Sequence, residues 1–462
     1  MNLLWITPEI FLSAAALLLF AGNIRRRRIA VGFTMMALVM AGILVLKFIY
    51  ENGSVLETAA VDGMSAFFKL LLLAGMSLSL GLANDSAEMK EISWGTFCGV
   101  WLLSTVGLMM LAASLDLILV VVSLELIGIS SFILTGFLKR EKRSMEAAIK
   151  IFLVGALSSA LFIYGISLVY GALGSTSLAA LAGFSFQGPD RLCLVGGLLF
   201  VIAGLGFKLA VVPFHMWVPD TFEGAPTPVT AYLSVAPKIA ALALLVRALP
   251  FHGAAGLSPL LAVLAVASMT LGNLAALRQT SVKRLLAYSS IAQMGYILLG
   301  FVAAGTLGLS SVLVYSAAYL FMNLGAFACL IAVSNESGSD RLESFDGLAR
   351  RSFPLALLAT VFLLSLTGIP PMLGFVAKFS VFAAAISERW FLLSVIGVLN
   401  SVVSLYYYFR IVHSMFFSEP SSSVPIRWSW GLSGCLVVSA LITVLAGLWP
   451  AGLLAWVQQV VP

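Results

Sequence analysis

An all-α membrane protein follows from three observations. The chain is 61% hydrophobic and only 10% charged over 462 residues. Its apolar residues fall into about fourteen runs, each near the ~20 residues that cross a hydrocarbon core. Lysine and arginine gather in alternate loops between those runs. A soluble domain carries about 25% charge, and a globule could not hide this much apolar surface from water. Aqueous enzyme classes are excluded on that ground. The net charge of +6 sits in short loops, so it points to orientation in a bilayer and not to nucleic acid.

The runs predict helices over 3–22, 30–49, 63–83, 93–113, 115–137, 145–170, 192–216, 227–249, 257–277, 284–303, 307–333, 353–386, 391–417 and 430–455. The first run carries only Glu9, and the basic cluster Arg25, Arg26, Arg27 and Arg28 comes after it. A signal peptide has its positive charge before the apolar core, so this run is expected to remain as a spanning helix. With the N-terminus outside, the inner loops hold Arg25 to Arg28, Lys90, Lys139, Arg140, Lys142, Arg143, Arg278, Lys283, Arg284, Arg341, Arg350, Arg351 and Arg427. The outer side keeps Lys47, Arg191, Arg247 and Arg389. That bias places both termini outside and requires an even number of crossings.

Two runs are interrupted. The first passes through Gly204, Gly206 and Lys208 to Pro213, Pro219, Gly224, Pro226 and Pro228. The second contains Gly368, Pro370, Pro371, Gly374 and Lys378. Proline removes a helical hydrogen bond and clashes with the preceding turn. The carbonyls it frees need protein or water in a membrane. Paired broken helices point to an internal repeat with a site at the breaks. The expected organisation is a three-helix segment over 1–92, a first repeat over 93–249 broken near 204–228, a second over 257–417 broken near 367–374, and a C-terminal helix within 418–462.

The candidate site is defined by cost. A charge at the bilayer centre costs about 2.5–3.5 kcal/mol on insertion scales. Glu125 lies ~15 Å of helix from either end of its segment, too deep to reach water by extension. Lys208 precedes the first break, Lys238 follows Pro237 midway along its helix, and Lys378 follows the second break. Burial penalises an ammonium and a nearby carboxylate favours it, so a lysine exposed to both can be switched by a small change in charge. The structural alternative is an ion pair that fixes helix packing. His215 lies in the first break and could relay a proton or steady the loop. Asp220 and Glu223 are expected at the inner mouth, as proton collectors or as solvated loop carboxylates. Lys69, Lys150 and Arg410 lie nearer helix ends, where snorkelling or ion pairing is the default. His252 and His413 have no ligand partner nearby in sequence.

The four cysteines, Cys98, Cys193, Cys329 and Cys435, stand singly in apolar runs, so neither a metal site nor a disulfide framework is expected. The sequence has no P-loop, no dinucleotide fingerprint, and no paired histidines or cysteine sets for haem or iron–sulfur clusters. No cofactor is expected in the chain, and energy for transport must come from a partner or an ion gradient.

Two stretches carry a family resemblance. Val282-Lys-Arg-Leu-Leu-Ala-Tyr-Ser-Ser-Ile-Ala-Gln-Met-Gly-Tyr296 is one. Lys208-Leu-Ala-Val-Val-Pro-Phe-His-Met-Trp-Val-Pro-Asp220, continuing to Glu223-Gly-Ala-Pro-Thr-Pro-Val-Thr230, is the other. Both resemble signatures of the proton-translocating quinone oxidoreductase family. That family includes the antiporter-like subunits of complex I and the multisubunit sodium/proton antiporters. Within it the chain is most similar to the subunit N branch, because Lys378 after Gly368-Ile-Pro-Pro371 stands where subunit M typically has glutamate.

The resemblance implies two inverted five-helix repeats. It also implies Glu125 acting with Lys208, Lys238 as a central lysine and Lys378 as a terminal one. Lys283 and Gln293 fall in the first signature as supporting positions. Gln293 stands where many relatives carry histidine, and an amide cannot titrate. The resemblance further implies a bacterial inner-membrane location and a non-redox subunit coupled to quinone reduction elsewhere. Its partners would be antiporter-like subunit M, the small membrane subunits and the lipid bilayer. A subunit of a sodium/proton antiporter is the alternative.

Overall fold

The computed structural model describes residues 3–22, 24–181, 188, 191–248, 256–420, 424–426 and 428–461. His252 and Arg427 lie outside the described residues. The first part of the chain forms α1 (Thr7–Ala21), α2 (Arg27–Lys47), β1 (Gly53–Val55), β2 (Ala59–Val61), α3 (Gly63–Asp85), α4 (Trp94–Ala113), α5 (Leu117–Thr135) and α6 (Lys142–Leu173). The middle forms α7 (Arg191–Leu209), α8 (Val218–Gly224), α9 (Thr227–Ala248), α10 (Ser258–Ala276), α11 (Val282–Ala303) and α12 (Gly305–Ser337). The last part forms α13 (Leu348–Arg351), α14 (Phe353–Thr367), α15 (Leu373–Ser387), α16 (Phe391–Phe417), α17 (Trp430–Leu448) and α18 (Ala451–Val460).

Among the described residues, 13 helices are long and apolar enough to cross a membrane, and α14 and α15 are shorter apolar helices. These two occupy the single run expected over 353–386, so the pair makes one interrupted crossing. The expected membrane architecture is therefore observed.

The centre of the bundle is α9, α11 and α12. Every residue of α9 from Thr227 to Val246 is buried. Helix α12 packs against α3, α9, α11, α14, α15 and α17. A helix apolar all round belongs inside a larger assembly or a membrane, and here the burial decides for the inside. The outer helices α1, α2, α6 and α16 instead expose Leu17, Ile43, Leu157 and Leu392, as a lipid-facing surface requires.

Two elements differ from expectation. An antiparallel hairpin, β1 and β2, occupies the loop after α2 and bridges from Ala59 to Ser114. Its turn puts Leu56 and Glu57 at positive φ without the glycine or asparagine that normally marks such a hairpin. The run expected as one helix over 430–455 is two helices, because α17 stops at Leu448 and Pro450 opens the next element.

Both breaks have local causes. Helix α7 ends where Ala210 takes a φ of 60°, a left-handed conformation that costs a non-glycine residue about 1–3 kcal/mol. Gly206 leaves room for the Phe214 ring to fold back, since a Cβ there would lie 2.5 Å from it. The Val212 amide within the break donates to Ser268 Oγ of α10 at 2.9 Å. At the second break Gly368 has a φ of 91° and closes α14 by donating to the Leu364 carbonyl. Gly374 then lets α15 pass against α14, because a Cβ would lie 1.8 Å from the Ser365 carbonyl oxygen.

Candidate functional site

Lys208 stands on the last turn of α7 and is half-buried. Its ammonium reaches across to α5 and donates to the Leu124 carbonyl at 3.4 Å. Gly128, one turn further along α5, makes the space, since a Cβ there would lie 3.2 Å from Lys208 Nζ. The half-buried Glu125 lies within electrostatic reach of the same ammonium. No ion pair within 4.0 Å joins them among the described residues. The two charges expected to act together are near each other without touching.

Lys238 is 0% exposed on the buried helix α9. That rules out snorkelling. Its Nζ donates to Ser290 Oγ at 2.9 Å and to the Ser290 carbonyl at 3.3 Å, both on α11. Pro237 before it cannot donate to the preceding turn. On that turn the Ser234 carbonyl accepts from Tyr319 at 3.0 Å, and Ser234 Oγ accepts from Asn323 at 2.7 Å.

Gln293 lies on α11 three residues beyond Ser290. Its amide donates to the Leu366 carbonyl at 2.9 Å, on the last turn of α14. Its own carbonyl accepts from the Tyr315 hydroxyl of α12. The next carbonyl, that of Thr367, accepts from Lys378 Nζ at 2.8 Å. Lys378 also donates to Ser401 Oγ at 3.2 Å and lies 4.2 Å from the centre of the Tyr296 ring. Polar groups therefore run from Lys238 through Ser290 and Gln293 to the break that Lys378 grips. Between Lys208 and Lys238 no comparable run of hydrogen bonds is present among the described residues. Tyr232 lies in that interval, bonded to Ser104 at 2.6 Å and Ser131 at 3.0 Å.

The end of the bundle with the basic loops is tightly paired. Asp220 on α8 takes Lys150 of α6 at 2.8 Å and Arg284 of α11 at 3.1 Å. Arg284 also takes Glu223 at 2.7 Å. Asp220 and Glu223 are therefore ion-paired, not free loop carboxylates. Lys150's hydrogen bond, with Arg284's charge beside it, holds the Asp220 carboxyl below the usual carboxylate value against partial burial. Lys283, counted above among the loop cations, is 5% exposed and donates to the Ala225 carbonyl between α8 and α9. His215 is buried beside the Pro213 carbonyl, and its Nδ1 makes no hydrogen bond of ordinary geometry among the described residues.

Sequence reasoning missed several members. Tyr315, Tyr319 and Asn323 recur at every fourth position of α12, and Ser234 stands one turn before Lys238. Those spacings put them on single helix faces and were the available signal. Glu88 was also missed. From the loop after α3 its carboxylate accepts from the amide and hydroxyl of Thr227, at 2.7 and 2.9 Å, and so caps the helix that carries Lys238.

This geometry can be set beside known proteins. The family described as NADH:quinone oxidoreductase/Mrp antiporter, transmembrane, matches residues 114–404. The chain belongs to that family. The match to the NADH:quinone oxidoreductase/Mrp antiporter family spans the interval from the start of α5 into α16, which includes all four candidate charges. NADH-quinone oxidoreductase subunit N of Moorella thermoacetica is 43% identical over 422 residues, covering 90% of this chain and 88% of that protein. A chain of respiratory complex I from Thermus thermophilus with bound aureothin has a TM-score of 0.83 at 32% identity, covering 97% and 98% of the two chains. A chain of the Mrp complex from Dietzia sp. DQ12-45-1b has a TM-score of 0.88 at 21% identity, covering 100% and 97%, a likeness of fold.

Proposed function

We propose that this chain is a proton-translocating membrane subunit of a respiratory NADH:quinone oxidoreductase. It lies in a bacterial inner membrane with both termini on the periplasmic side. It works beside an antiporter-like subunit of the M type and small membrane subunits, and it carries no redox cofactor. Quinone reduction in those partners changes the charge near Glu125, and the change passes through Lys208 and Lys238 to Lys378. Residues 93–249 and 257–417 act as two inverted repeats, one break in each. His215, Asp220, Glu223, Lys283 and Gln293 position the path or its inner mouth.

One observation carries this reading. Lys238 is fully buried with only hydroxyl and carbonyl partners, and no carboxylate lies within 4.0 Å of it among the described residues. A purely structural buried cation would be paired, because an uncompensated charge in a low-dielectric interior is costly. An unpaired one suits a group whose charge must change.

The test is Lys238→Ala in the assembled complex, reconstituted in vesicles, with protons moved per NADH oxidised as the readout. A ratio well below wild type is expected. An unchanged ratio would rule the role out. The shared fold of the Mrp complex favours a sodium/proton antiporter as the second reading. Sodium-dependent proton movement without any coupling to quinone reduction would select it.

A further inference from the structure

Helix α17 carries a polar stripe that the lysine path does not use. Gly431, Cys435, Ser439, Thr443 and Gly447 follow one another at every fourth position. They form a ribbon that turns about 40° round the helix at each step of about 6 Å, so Cys435, Ser439 and Thr443 share one face and the two glycines flank it on either side. The face points inward, since Cys435 is 3% exposed and Ser439 and Thr443 are each 0% exposed.

Its ends are defined by close approaches. A Cβ at Gly431 would lie 2.4 Å from Asp85 Oδ2, at the end of α3. A Cβ at Gly447 would lie 2.2 Å from the Pro371 carbonyl oxygen and 2.6 Å from the Leu373 amide, in the second break. The stripe therefore joins Asp85, among the basic loops beside Arg27, to the turn held by Lys378.

Among the described residues, Asp85 Oδ2 and Thr443 Oγ1 are buried without a hydrogen-bond partner, and Ser439 Oγ, beside the Cys435 thiol, makes no hydrogen bond of ordinary geometry. This is not the habit of the chain. Thr34, Ser79, Thr105, Ser131, Ser268 and Thr360 all return their hydroxyls to the carbonyl four residues back. Small residues at this spacing suit close helix packing, and Gly431 and Gly447 serve that purpose. Packing alone gives no reason for the unsatisfied oxygens of Asp85 and Thr443 at the two ends of this run. A spacing of about 6 Å is two hydrogen-bond lengths, the span that one water bridges between two hydroxyls.

We propose that the α17 stripe is a water-bridged proton entry from the basic-loop face to the second break. Asp85 is its collecting carboxylate, and Cys435, Ser439 and Thr443 are its steps. Each hydroxyl accepts a proton from the water on one side and gives one to the water on the other, and nothing is oxidised. Lys378, as the neutral amine, is the final acceptor. This inference rests on the proton-translocating reading.

Two measurements test it. The first needs no activity. The S–H infrared band of Cys435, assigned by difference against Cys435→Ala, is followed in the full chain after transfer to D2O. Exchange within minutes is expected of a hydrated stripe, and an S–H band that persists for hours overturns it. The second is the Ser439→Ala/Thr443→Val double variant in the assembled complex, which removes the hydroxyls at nearly constant volume. Protons per NADH should fall by about half or more, whereas the wild-type ratio overturns the proposal. Lys378→Ala is run in parallel. Full pumping in that variant would defeat the parent reading, whereas full pumping in the double variant alone defeats only the stripe. If the double variant does not assemble, the infrared result on the unmodified chain still decides.

Discussion

Lys378 donates to the carbonyl of Thr367 across 2.8 Å, so the lysine that follows the second break fastens the end of the helix before it. Lys378→Met removes both the charge and this bond. A buried carbonyl left unpaired costs about 1–3 kcal/mol. The variant is expected to assemble with a lower thermal inactivation temperature and to lose most proton movement while NADH is still oxidised. Measuring both quantities on one preparation separates transport from stability, and coupled pumping at the wild-type ratio would count against the assigned role.

Gln293 joins α11 to the last turn of α14 and to Tyr315 of α12. Gln293→Leu has similar volume and neither bond. It should interrupt the polar run between Lys238 and Lys378 and reduce protons per NADH several-fold. Gln293→His keeps a donor and should retain more of the coupling. Equal coupling in the two variants would show that the side chain only fills space.

The buried pair Glu9–Lys69, at 2.7 Å, ties α1 to α3. Glu9 is 3% exposed and Lys69 is 7% exposed, so ion pairing holds at Lys69 and snorkelling does not. Lys69→Met leaves a buried carboxylate without its partner, a loss of about 3–5 kcal/mol. The double change Glu9→Gln/Lys69→Met should recover much of that. Thermal unfolding of wild type, Glu9→Gln, Lys69→Met and the double variant in one detergent checks it, and additive losses would show that the pair contributes nothing as a pair.

Asp62 caps α3 and is gripped by Arg247 at 2.7 and 3.0 Å. Burial pushes its carboxyl up, but the hydrogen bonds and charge of Arg247, with donations from Ser65, outweigh that and hold it below the ordinary 3.8. A carboxyl lowered in the native state stabilises the fold above its unfolded value. That contribution is lost as pH falls through the native value, because the unfolded chain takes up the proton first. Wild type should therefore exceed Asp62→Asn in stability at pH 7, and the gap should narrow as pH drops below about 4. A gap independent of pH between 7 and 3 would contradict the assignment.

The residues legible in the sequence were those whose placement is expensive. Lys238 and Lys378 stood out because oil makes a charge conspicuous, and Pro213 and Pro371 marked the breaks because they cannot continue a helix. Ser290, Tyr315 and Asn323 did not stand out, because a hydroxyl or amide in an apolar helix reads the same whether it binds a neighbour or its own backbone. The 53–61 hairpin was hidden because Leu56 and Glu57 take the turn without its usual residues. The partners of Glu9 and Asp220 depend on which helices meet, which no local pattern records.

Asp220 divides its two oxygens, Oδ2 to Lys150 of α6 and Oδ1 to Arg284 of α11. One carboxylate thus bridges a cation on the sixth helix and a cation on the eleventh, and Glu223 of the same short helix holds the second of them as well. Its carboxyl is held below the usual carboxylate value, so the bridge stays charged at neutral pH. The short helix after the first break is therefore latched to both of its neighbours, and any displacement at that break must carry them along or break an ion pair.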